Sequence, residues 1–429
     1  MAILIRSALD GLRPRPVSPG TPLSMPSTFA LLVGGAGCLG SLIWVAMLGH
    51  LARHRDQAVF LADLDDSEPP GGWPAVAMIF AARDEAAMVG PAARSMLGQD
   101  YPALEVIAVD DRSVDATGAI LDGLAAEAGG ARLRVVHVRD LPAGWLGKTH
   151  ALQRATEATE ASWLLFTDAD VLFRPGALRR AIRFAEAEGL DHVALLPEMP
   201  NQSVSEKMFL AIFGLLFGIA CPLGRLARRD SRAHMGIGAF NLVRAEVLRD
   251  IGGFHRLALS VDDDMMLAKA LKFAGYRMRP LLGARAVSVV WQVGLGGMVG
   301  GLEKNFFAAL RFRLPLVAVA ISGITCLGIA PFAGLWVGPW PTRAACALGV
   351  ATVALLLAET RSHSGIGWPY AVLLPVASLV LIFTLIRSTV LTLSRGGVVW
   401  RGHLYPIGEL KAHTRLRDAW LREVWLSTR

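Results

Sequence analysis

The sequence predicts an α/β domain with a mostly parallel, doubly wound sheet, flanked on both sides by transmembrane helices. Between residues 74 and 310, apolar runs of strand length alternate with helical segments, which is typical of βαβ units. Outside this region lie apolar runs long enough to span a bilayer. The composition agrees, because 53% hydrophobic and 18% charged residues suit neither an ordinary soluble protein nor one wholly inside the membrane.

Changes in composition divide the chain into five parts. Residues 1–27 carry several Pro and Arg residues, and we expect them to be poorly ordered. The parts are an N-terminal segment with one transmembrane helix (1–55), an acidic linker rich in Pro and Gly (56–73), the globular domain (74–310), C-terminal transmembrane helices (314–393) and a basic tail (394–429).

The basic residues predict the orientation of the membrane segments. The apolar run 29–51 is followed by Arg53, His54 and Arg55, so the positive-inside rule places the next domain in the cytoplasm. We read three later spans, at 314–336, 344–358 and 370–393. Three crossings would leave the basic tail outside, against the rule, so we favour a cytoplasmic tail with one segment re-entrant.

A further apolar segment, 208–219, lies inside the globular domain. It is short for a span, so we expect an interfacial or re-entrant helix, with a core helix as the alternative. The segment is followed by four arginines suited to anionic headgroups: Arg225, Arg228, Arg229 and Arg232. The net charge of +7 is read as a topology and headgroup signal, since no nucleic-acid-binding motif is present.

The remaining patterns predict the elements of the globular domain. Asp115 is a plausible N-cap, and the tight loop 236–241 is expected to enter a helix. We predict strands at 76–80, 104–109, 133–138 and 161–167, and helices at 84–97, 115–126, 148–160, 177–188 and 265–274. The four widely spaced cysteines lie in apolar runs and are expected to be buried hydrophobes.

Two carboxylates follow the strand at 161–167, at the position where a parallel sheet presents side chains to a ligand. Asp168 and Asp170 are two residues apart and can point the same way if the backbone stays extended. Two such acids raise each other's pKa unless a cation lies between them. Mg²⁺ or Mn²⁺ prefers such oxygen ligands together with substrate phosphates, so the pair is a candidate metal site, with a solvated turn as the alternative.

Five motifs, each at a predicted strand end or loop, together resemble glycosyltransferase family 2, whose members are inverting enzymes with the GT-A fold. The resemblance covers about residues 74–310 and implies a nucleotide diphosphate sugar donor. The motifs are Ala-Ala-Arg-Asp-Glu (81–85), Val-Asp-Asp-Arg-Ser-Val-Asp-Ala-Thr (109–117), Gly-Trp-Leu-Gly-Lys-Thr (144–149), Thr-Asp-Ala-Asp (167–170) and Asp-Asp-Met-Met-Leu (263–267).

The membrane-anchored layout is similar to bacterial transferases associated with hopanoid and carotenoid biosynthesis, and to ceramide glucosyltransferase. This similarity implies a lipid acceptor and a location in a bacterial-type inner (plasma) membrane, with the catalytic domain cytoplasmic.

The resemblance implies a nucleotide-binding role for the first two motifs. Ala82, Arg83 and Glu85 match the first motif, with Glu85 expected near the ribose and uracil. The family commonly has Pro and Asn where this chain has Ala81 and Asp84.

Asp110 and Asp111 match the acidic pair that accepts a hydrogen bond from the base. A carboxylate suits uracil because the ring offers an N–H donor. Lys148 matches a lysine near the diphosphate, and its alternative is a solvated loop lysine.

The resemblance implies catalytic roles for the later motifs. Asp168 and Asp170 match the family's metal motif, with Asp170 the expected direct ligand, and the metal would neutralise charge on the leaving nucleoside diphosphate. Asp264, preceded by Asp263, matches the catalytic base that inversion requires, and helix capping is the alternative for these acids.

A third set of residues, Gly236, Gly238 and Asn241, matches a loop that lines the acceptor side of the site in this family. The alternative for these residues is an ordinary turn.

Processive polysaccharide synthases of this family carry Gln-x-x-Arg-Trp after the base. Residues 297–307 lack this motif, which favours a single transfer to a lipid over a polysaccharide or exopolysaccharide synthase. Glu303 and Lys304 in this region are left without an assigned role. A catalytically silent membrane scaffold is the alternative of another class.

Overall fold

The globular domain is built on one seven-stranded mixed sheet with the strand order β3-β2-β1-β4-β7-β6-β8. The computed structural model describes residues 28–128, 132–200 and 203–428, so the prediction for residues 1–27 lies outside the described residues. The strands of this sheet are β1 (Val76–Ala82), β2 (Leu104–Asp111), β3 (Leu133–Val138), β4 (Trp163–Asp168), β6 (His192–Leu196), β7 (Asn241–Arg244) and β8 (Met278–Leu282).

Four of these strands form a parallel half in the order β3-β2-β1-β4. The register pairs Ala82 with Asp110 and Ala81 with Asp168, so β1, β2 and β4 end at the same edge of the sheet. β7 runs antiparallel between β4 and β6, and β6 pairs in parallel with β8. A small second sheet joins β5 (Leu172–Phe173) to β9 (Val287–Ser288). The mostly parallel α/β architecture predicted from the sequence is confirmed.

Helices cover both faces of the sheet and bury its apolar side chains in two core clusters. The side chains of β1 and β4 are almost all inaccessible, as near-continuous apolar strands require. The helices of the domain are α2 (Val89–Leu97), α3 (Thr117–Glu127), α4 (Gly147–Thr156), α5 (Ala177–Ala187), α6 (Val204–Ala220), α7 (Leu223–Leu226), α8 (Ala245–Asp250), α9 (Asp263–Phe273), α10 (Gly294–Glu303) and α11 (Phe306–Ala309).

Three predicted boundaries are wrong in detail. The helix expected from residue 84 begins at Val89, because Asp84 adopts a left-handed φ of 54° that a helix does not allow. The N-cap of α3 is Ala116, one residue after the predicted Asp115. The Asp115 side chain accepts hydrogen bonds from the backbone N–H groups of Ala86 and Thr117, and so connects the loop after β1 to the start of α3. The loop 236–241 enters β7, not a helix, because this segment completes the sheet beside β4.

Four helices are long and apolar enough to cross a membrane, judged by length and composition among the described residues. They lie at Thr28–Arg53 (α1), Val204–Leu226, Trp340–Glu359 and Trp368–Ser394. The C-terminal helices are α12 (Leu314–Gly328), α13 (Ala330–Ala333), α14 (Trp340–Glu359), α15 (Arg361–Ser364) and α16 (Leu374–Ser394). The continuous span expected at 314–336 is wrong, because the helix stops at Gly328 just before Pro331, which lacks a backbone N–H.

The sheet restricts the path of α6. A capping box between Ser203 and Glu206 starts this helix one turn earlier than expected. The strands on either side of it, β6 and β7, belong to the same sheet, so both ends of the segment lie on one side of any membrane. Residues 227–240 contain no apolar helix that could bring the chain back. A single crossing of a membrane by α6 is therefore incompatible with the sheet.

The C-terminal tail returns to the globular domain as ordered structure. It forms a hairpin of β10 (Gly397–Trp400) and β11 (His403–Pro406), followed by the 21-residue helix α17 (Ile407–Ser427). On α17, Arg417 donates to Ser260 at 2.9 Å, and Trp425 packs against Phe273. The tail and the globular domain therefore lie on the same side of any membrane, so the segment between them must cross it an even number of times, and α14 and α16 are two helices long and apolar enough to do so.

Candidate active site

A cavity of about 230 Å³ lies at the edge where β1, β2 and β4 end. One part of its lining follows these strand ends, a second comes from the segment around α10, and a third from the C-terminal hairpin. The lining residues are Ala81, Ala82, Arg83, Glu85, Asp111, Gly147, Lys148, Asp168, Ala169, Asp170, Trp291, Gln292, Gly301, Lys304, Asn305, Trp400, Arg401 and Tyr405.

Asp168 and Asp170 both line this cavity, as their spacing predicts. Burial, together with the nearby carboxylates of Asp168 and Glu85, raises the pKa of Asp170 to about 6. Asp168 is partly neutralised, because its Oδ1 accepts a hydrogen bond from Lys148 Nζ at 2.7 Å. The pair therefore holds excess negative charge that a cation would stabilise.

Lys148 joins the two halves of the site. This residue lies in the first turn of α4, and its Nζ is 2.7 Å from Asp168 Oδ1 and 3.6 Å from Asp263 Oδ2. Burial alone would lower the pKa of this lysine, but the attraction of Asp168 and Asp263 outweighs it and raises the pKa well above its usual range. Lys148 thus stays charged and holds together carboxylates from β4 and α9.

Asp263 and Asp264 begin α9 behind Lys148 and do not line the cavity itself. Asp263 is buried. Burial and the neighbouring Asp263 carboxylate raise the pKa of Asp264 to about 7, while Lys148 opposes this change. Asp264 Oδ1 also accepts from the Met265 backbone N–H at 2.7 Å. A carboxyl group with this pKa can change protonation near neutral pH, which general-base catalysis requires.

Two glycines pack against the acids. A Cβ on Gly238 would lie 2.6 Å from Asp168 Oδ2, and one on Gly236 would lie 1.9 Å from the Asp264 carbonyl oxygen. Only glycine allows this close backbone approach at both positions. Asn241, in contrast, is buried in β7, where its Oδ1 hydrogen bonds to His192 Nε2 at 2.9 Å. The loop therefore places Gly236 and Gly238 beside the acids, and Asn241 in the core.

The structure separates the acidic pair at the end of β2, because successive side chains of a strand point to opposite faces. Asp111 lines the cavity and accepts two hydrogen bonds from Arg112, at 2.7 and 2.9 Å. Asp110 lies 3.0 Å from His137 Nδ1 and does not line the cavity. Of the two predicted base-binding acids, only Asp111 faces the cavity.

The loop after β1 presents Arg83 and Glu85 to the cavity. Its turn is held by Asp84, whose N–H donates to Ser113 and whose Oδ1 accepts from Val114 N–H at 2.8 Å. Aspartate tolerates the left-handed backbone here as asparagine does, so the departure from the family pattern at this position leaves the turn intact. Arg83 Nε is buried and has no hydrogen-bond partner among the described residues.

The sequence analysis missed the residues that close the cavity from the other side. Trp291, Gln292 and Asn305 flank α10, and Trp400, Arg401 and Tyr405 belong to the hairpin. A signal for the hairpin exists in the sequence, since Arg401 and Gly402 stand between two short apolar segments, which is a two-residue turn pattern. No signal indicated that this hairpin would reach the strand ends of a domain about a hundred residues earlier.

Glu303 and Lys304, which the sequence left without an assigned role, point in different directions. Glu303 forms ion pairs with Arg387 at 3.2 Å and Arg395 at 2.7 Å, and so anchors α10 to the end of α16. Lys304 lines the cavity, where its Nζ lies 4.2 Å from the centre of the Trp400 ring. Burial and the charge of Lys148 lower the pKa of Lys304 to about 8, although Asp263 raises it.

The comparison with protein families identifies the domain. A profile of the family described as "Glycosyltransferase like family 2" matches residues 74–294, just over half of the chain. The chain belongs to glycosyltransferase family 2. The predicted enzyme class is therefore confirmed, and the protein is a glycosyltransferase.

Solved structures of glycosyltransferases are among those similar to this chain. The mannosyltransferase PcManGT from Pyrobaculum calidifontis, in complex with GDP-Man and Mn²⁺, is 19% identical, with 82% of this chain and 97% of that chain covered and a TM-score of 0.47. S. aureus TarS 1-349, in complex with UDP-GlcNAc, is 16% identical, with 75% and 92% covered and a TM-score of 0.39. The search of curated proteins gives no match.

The Lys148 contacts predict a pH-dependent loss of stability in the variant Lys148→Met. Without the ammonium, burial raises the folded-state pKa of Asp263 further above its unfolded value, so the folded protein becomes less stable as the pH rises and Asp263 ionises. We expect a loss of about 3 kcal/mol in the free energy of unfolding at pH 8, and a smaller loss at pH 5.

Thermal unfolding of the purified protein in detergent, measured at both pH values, checks this prediction. Arg415→Met removes an exposed cation from α17 and serves as the matched control, with no pH-dependent change expected. An equal loss of unfolding free energy in Lys148→Met at pH 5 and pH 8 would show that the lysine does not compensate the negative charge of the neighbouring acids.

Proposed function

We propose that this glycosyltransferase moves a single sugar, with inversion, from a UDP-linked donor to the hydroxyl of a membrane lipid. The acceptor would be a polyisoprenoid-type or sphingoid lipid at the cytoplasmic leaflet of a bacterial-type inner membrane. The observation that carries the proposal is that one cavity is lined both by the acids at the strand ends and by Trp291, which packs against the apolar helix α6.

The donor half of the proposal rests on the residues at the ends of β1 and β2. Asp111 presents a carboxylate that can accept from the N–H of uracil, and Glu85 lies beside it in the same lining. The buried, unpartnered Arg83 Nε is a donor that suits an anionic or carbonyl group of a bound nucleotide. These features fit a pyrimidine nucleotide.

The donor set also fits a divalent cation. Asp168 and Asp170 face one cavity, and the pKa of Asp170 is raised to about 6 by burial and by its acidic neighbours. Among the described residues, no group of three or more His, Cys, Asp or Glu side chains could hold a metal ion alone. Two carboxylates plus diphosphate oxygens are a usual ligand set for Mg²⁺ or Mn²⁺. Such an ion, held by Asp168 and Asp170, would neutralise the charge of the leaving diphosphate.

Asp264 is proposed as the base. Inversion requires attack by the acceptor oxygen opposite the leaving group, so the acceptor proton must pass to a group on that side as the bond to the anomeric carbon forms and the bond to the diphosphate breaks. The raised pKa of Asp264 makes it a stronger base than an exposed aspartate. Lys148 stays charged between Asp168 and Asp263 and limits the repulsion among the acids.

The acceptor half rests on the surroundings of Trp291. Its ring lies 5.2 Å from that of Phe213, and Phe213 belongs to an aromatic row with Phe209 and Phe217 along α6. A lipid held against α6 would therefore have its head group close to the cavity.

The pKa of Asp264 predicts the pH profile of the reaction. Since the base must be ionised, we expect kcat/KM to rise with pH and to level off above about pH 7. Asp264→Asn should lower kcat by about 10²- to 10⁴-fold at every pH, because no base remains. Initial rates measured from pH 5 to pH 9 test both statements.

Glu246→Gln is the matched control for this measurement, since Glu246 is an exposed acid in the first turn of α8, far from the cavity. A flat pH profile, or an Asp264→Asn variant with a normal kcat, would contradict the assignment of the base.

Sugar transfer itself tests the proposed reaction. Membranes containing the full chain are supplied with a panel of radiolabelled nucleotide sugars, with Mn²⁺ or with a chelator, and the lipids are extracted. We expect label from one UDP-sugar in the lipid fraction, lost with the chelator and in Asp264→Asn.

The other outcomes discriminate among the alternatives. Label in a water-insoluble polymer would favour a polysaccharide synthase. Label transferred to a lipid equally well in the chelator would overturn the metal assignment alone. Label in neither fraction with any donor would overturn the lipid acceptor and the proposed reaction together.

A further inference from the structure

The C-terminal hairpin closes the cavity from the side opposite the strand ends. β10 and β11 pair from Gly397 with Pro406 to Trp400 with His403, which leaves a two-residue turn of Arg401 and Gly402. Both turn residues have positive φ values, 49° and 75°, as a type I′ turn requires. Arg401 therefore stands at the tip of the hairpin, pointing into the part of the cavity that holds Glu85.

The base of the hairpin is fixed to the rest of the site. Tyr405 is buried, and its hydroxyl oxygen accepts from the Gly147 N–H at 3.2 Å, next to Lys148. Gly147 must be glycine for this contact, because a Cβ would lie 2.2 Å from Asp111 Oδ2. Val398 is also buried. The anchored base gives the tip a defined position beside the strand ends.

The tip, in contrast, is held by an exchangeable contact. The Arg401 guanidinium forms an ion pair with Glu85, and the Arg401 side chain is 44% exposed. Partly exposed ion pairs of this kind contribute little free energy. Arginine binds phosphate oxygens with two parallel hydrogen bonds, so a diphosphate in the cavity would compete well with a single carboxylate.

A second cation lies beside the hairpin. Lys304 Nζ stacks on Trp400 at 4.2 Å and hydrogen bonds to Asn305 Oδ1 at 3.0 Å, but forms no ion pair among the described residues. Lys148 and Arg112 are already paired with Asp168 and Asp111, and Arg83 lines the cavity from the loop after β1. Lys304 and Arg401 are thus the cations on the hairpin side of the cavity that can bind a new anion.

We propose that the C-terminal hairpin is a donor-binding element, in which Arg401 leaves Glu85 and, together with Lys304, binds the diphosphate of the nucleotide sugar. This inference rests on the proposed function, since it assumes a nucleoside diphosphate in the cavity. It gives the basic tail a role in substrate binding, beyond its role in membrane topology.

Binding of a nucleoside diphosphate and of the matching nucleoside separates this role from a purely structural one. The full chain is purified in detergent with Mn²⁺, and dissociation constants for UDP and uridine (or for GDP and guanosine, if the wild type prefers them) are measured by calorimetry or competition. We expect Arg401→Gln to weaken diphosphate binding by about 10- to 100-fold, as charged hydrogen bonds to phosphate suggest, with nucleoside binding unchanged.

The controls keep the test independent of folding. Arg415→Gln removes an exposed arginine of the same tail and should leave both constants unchanged. Lys304→Gln should also weaken diphosphate binding selectively, and Arg401→Lys should restore part of the affinity. In transfer assays, Arg401→Gln should mainly raise the KM for the donor and leave kcat nearly unchanged, because the variant does not alter the base.

Two results would overturn the inference while leaving the proposed function intact. One is unchanged diphosphate binding in Arg401→Gln, and the other is an equal loss for the diphosphate and the nucleoside, which would indicate a structural role. A wild-type protein that binds no nucleoside diphosphate in the presence of Mn²⁺ would instead overturn the proposed function, and this inference with it.

Discussion

The site depends on the compensation of buried negative charge. Acids from the parallel half of the sheet and from α9 meet around Lys148, whose Nζ lies 2.7 Å from Asp168 and 3.6 Å from Asp263. Removing such charges from water is costly unless each finds a partner. Arg401 pairs with Glu85 in the same way, from the far end of the chain. The acids thus position the basic residues. A bound diphosphate with its cation would keep the positive and negative charges of the site compensated.

This arrangement also restricts how the chain meets the membrane. The hairpin and α17 contact the globular domain, so the C-terminal helices must return the chain to the side from which it left. The shared sheet imposes the same condition on α6, whose flanking strands are β6 and β7. Trp291 lies in the wall of the cavity, and Phe213 of α6 packs behind this residue.

Sequence reasoning found the elements whose signal is local. The alternating strands and helices predicted the sheet, the two acids after β4 predicted Asp168 and Asp170 at its edge, and the resemblance to the family added Asp111 and Lys148. It failed where the outcome depends on distant contacts. The hairpin carrying Arg401 was read only as basic tail, because its position beside the strand ends is set by tertiary packing. Asp110 and Asp111 likewise point to opposite faces of β2. The presence of two adjacent acids in the sequence did not indicate which of them would face the cavity.

The most direct test of the charge-compensated cleft is a structure of the full chain with Mn²⁺ and the nucleoside diphosphate that it binds. We expect anomalous scattering from one manganese ion held by Asp168 and Asp170, with the diphosphate bound by the side chains of Arg401 and Lys304. The Arg401–Glu85 ion pair should be broken. A nucleotide bound elsewhere, or a metal ion with neither aspartate as a ligand, would contradict the proposed charge compensation in this cavity.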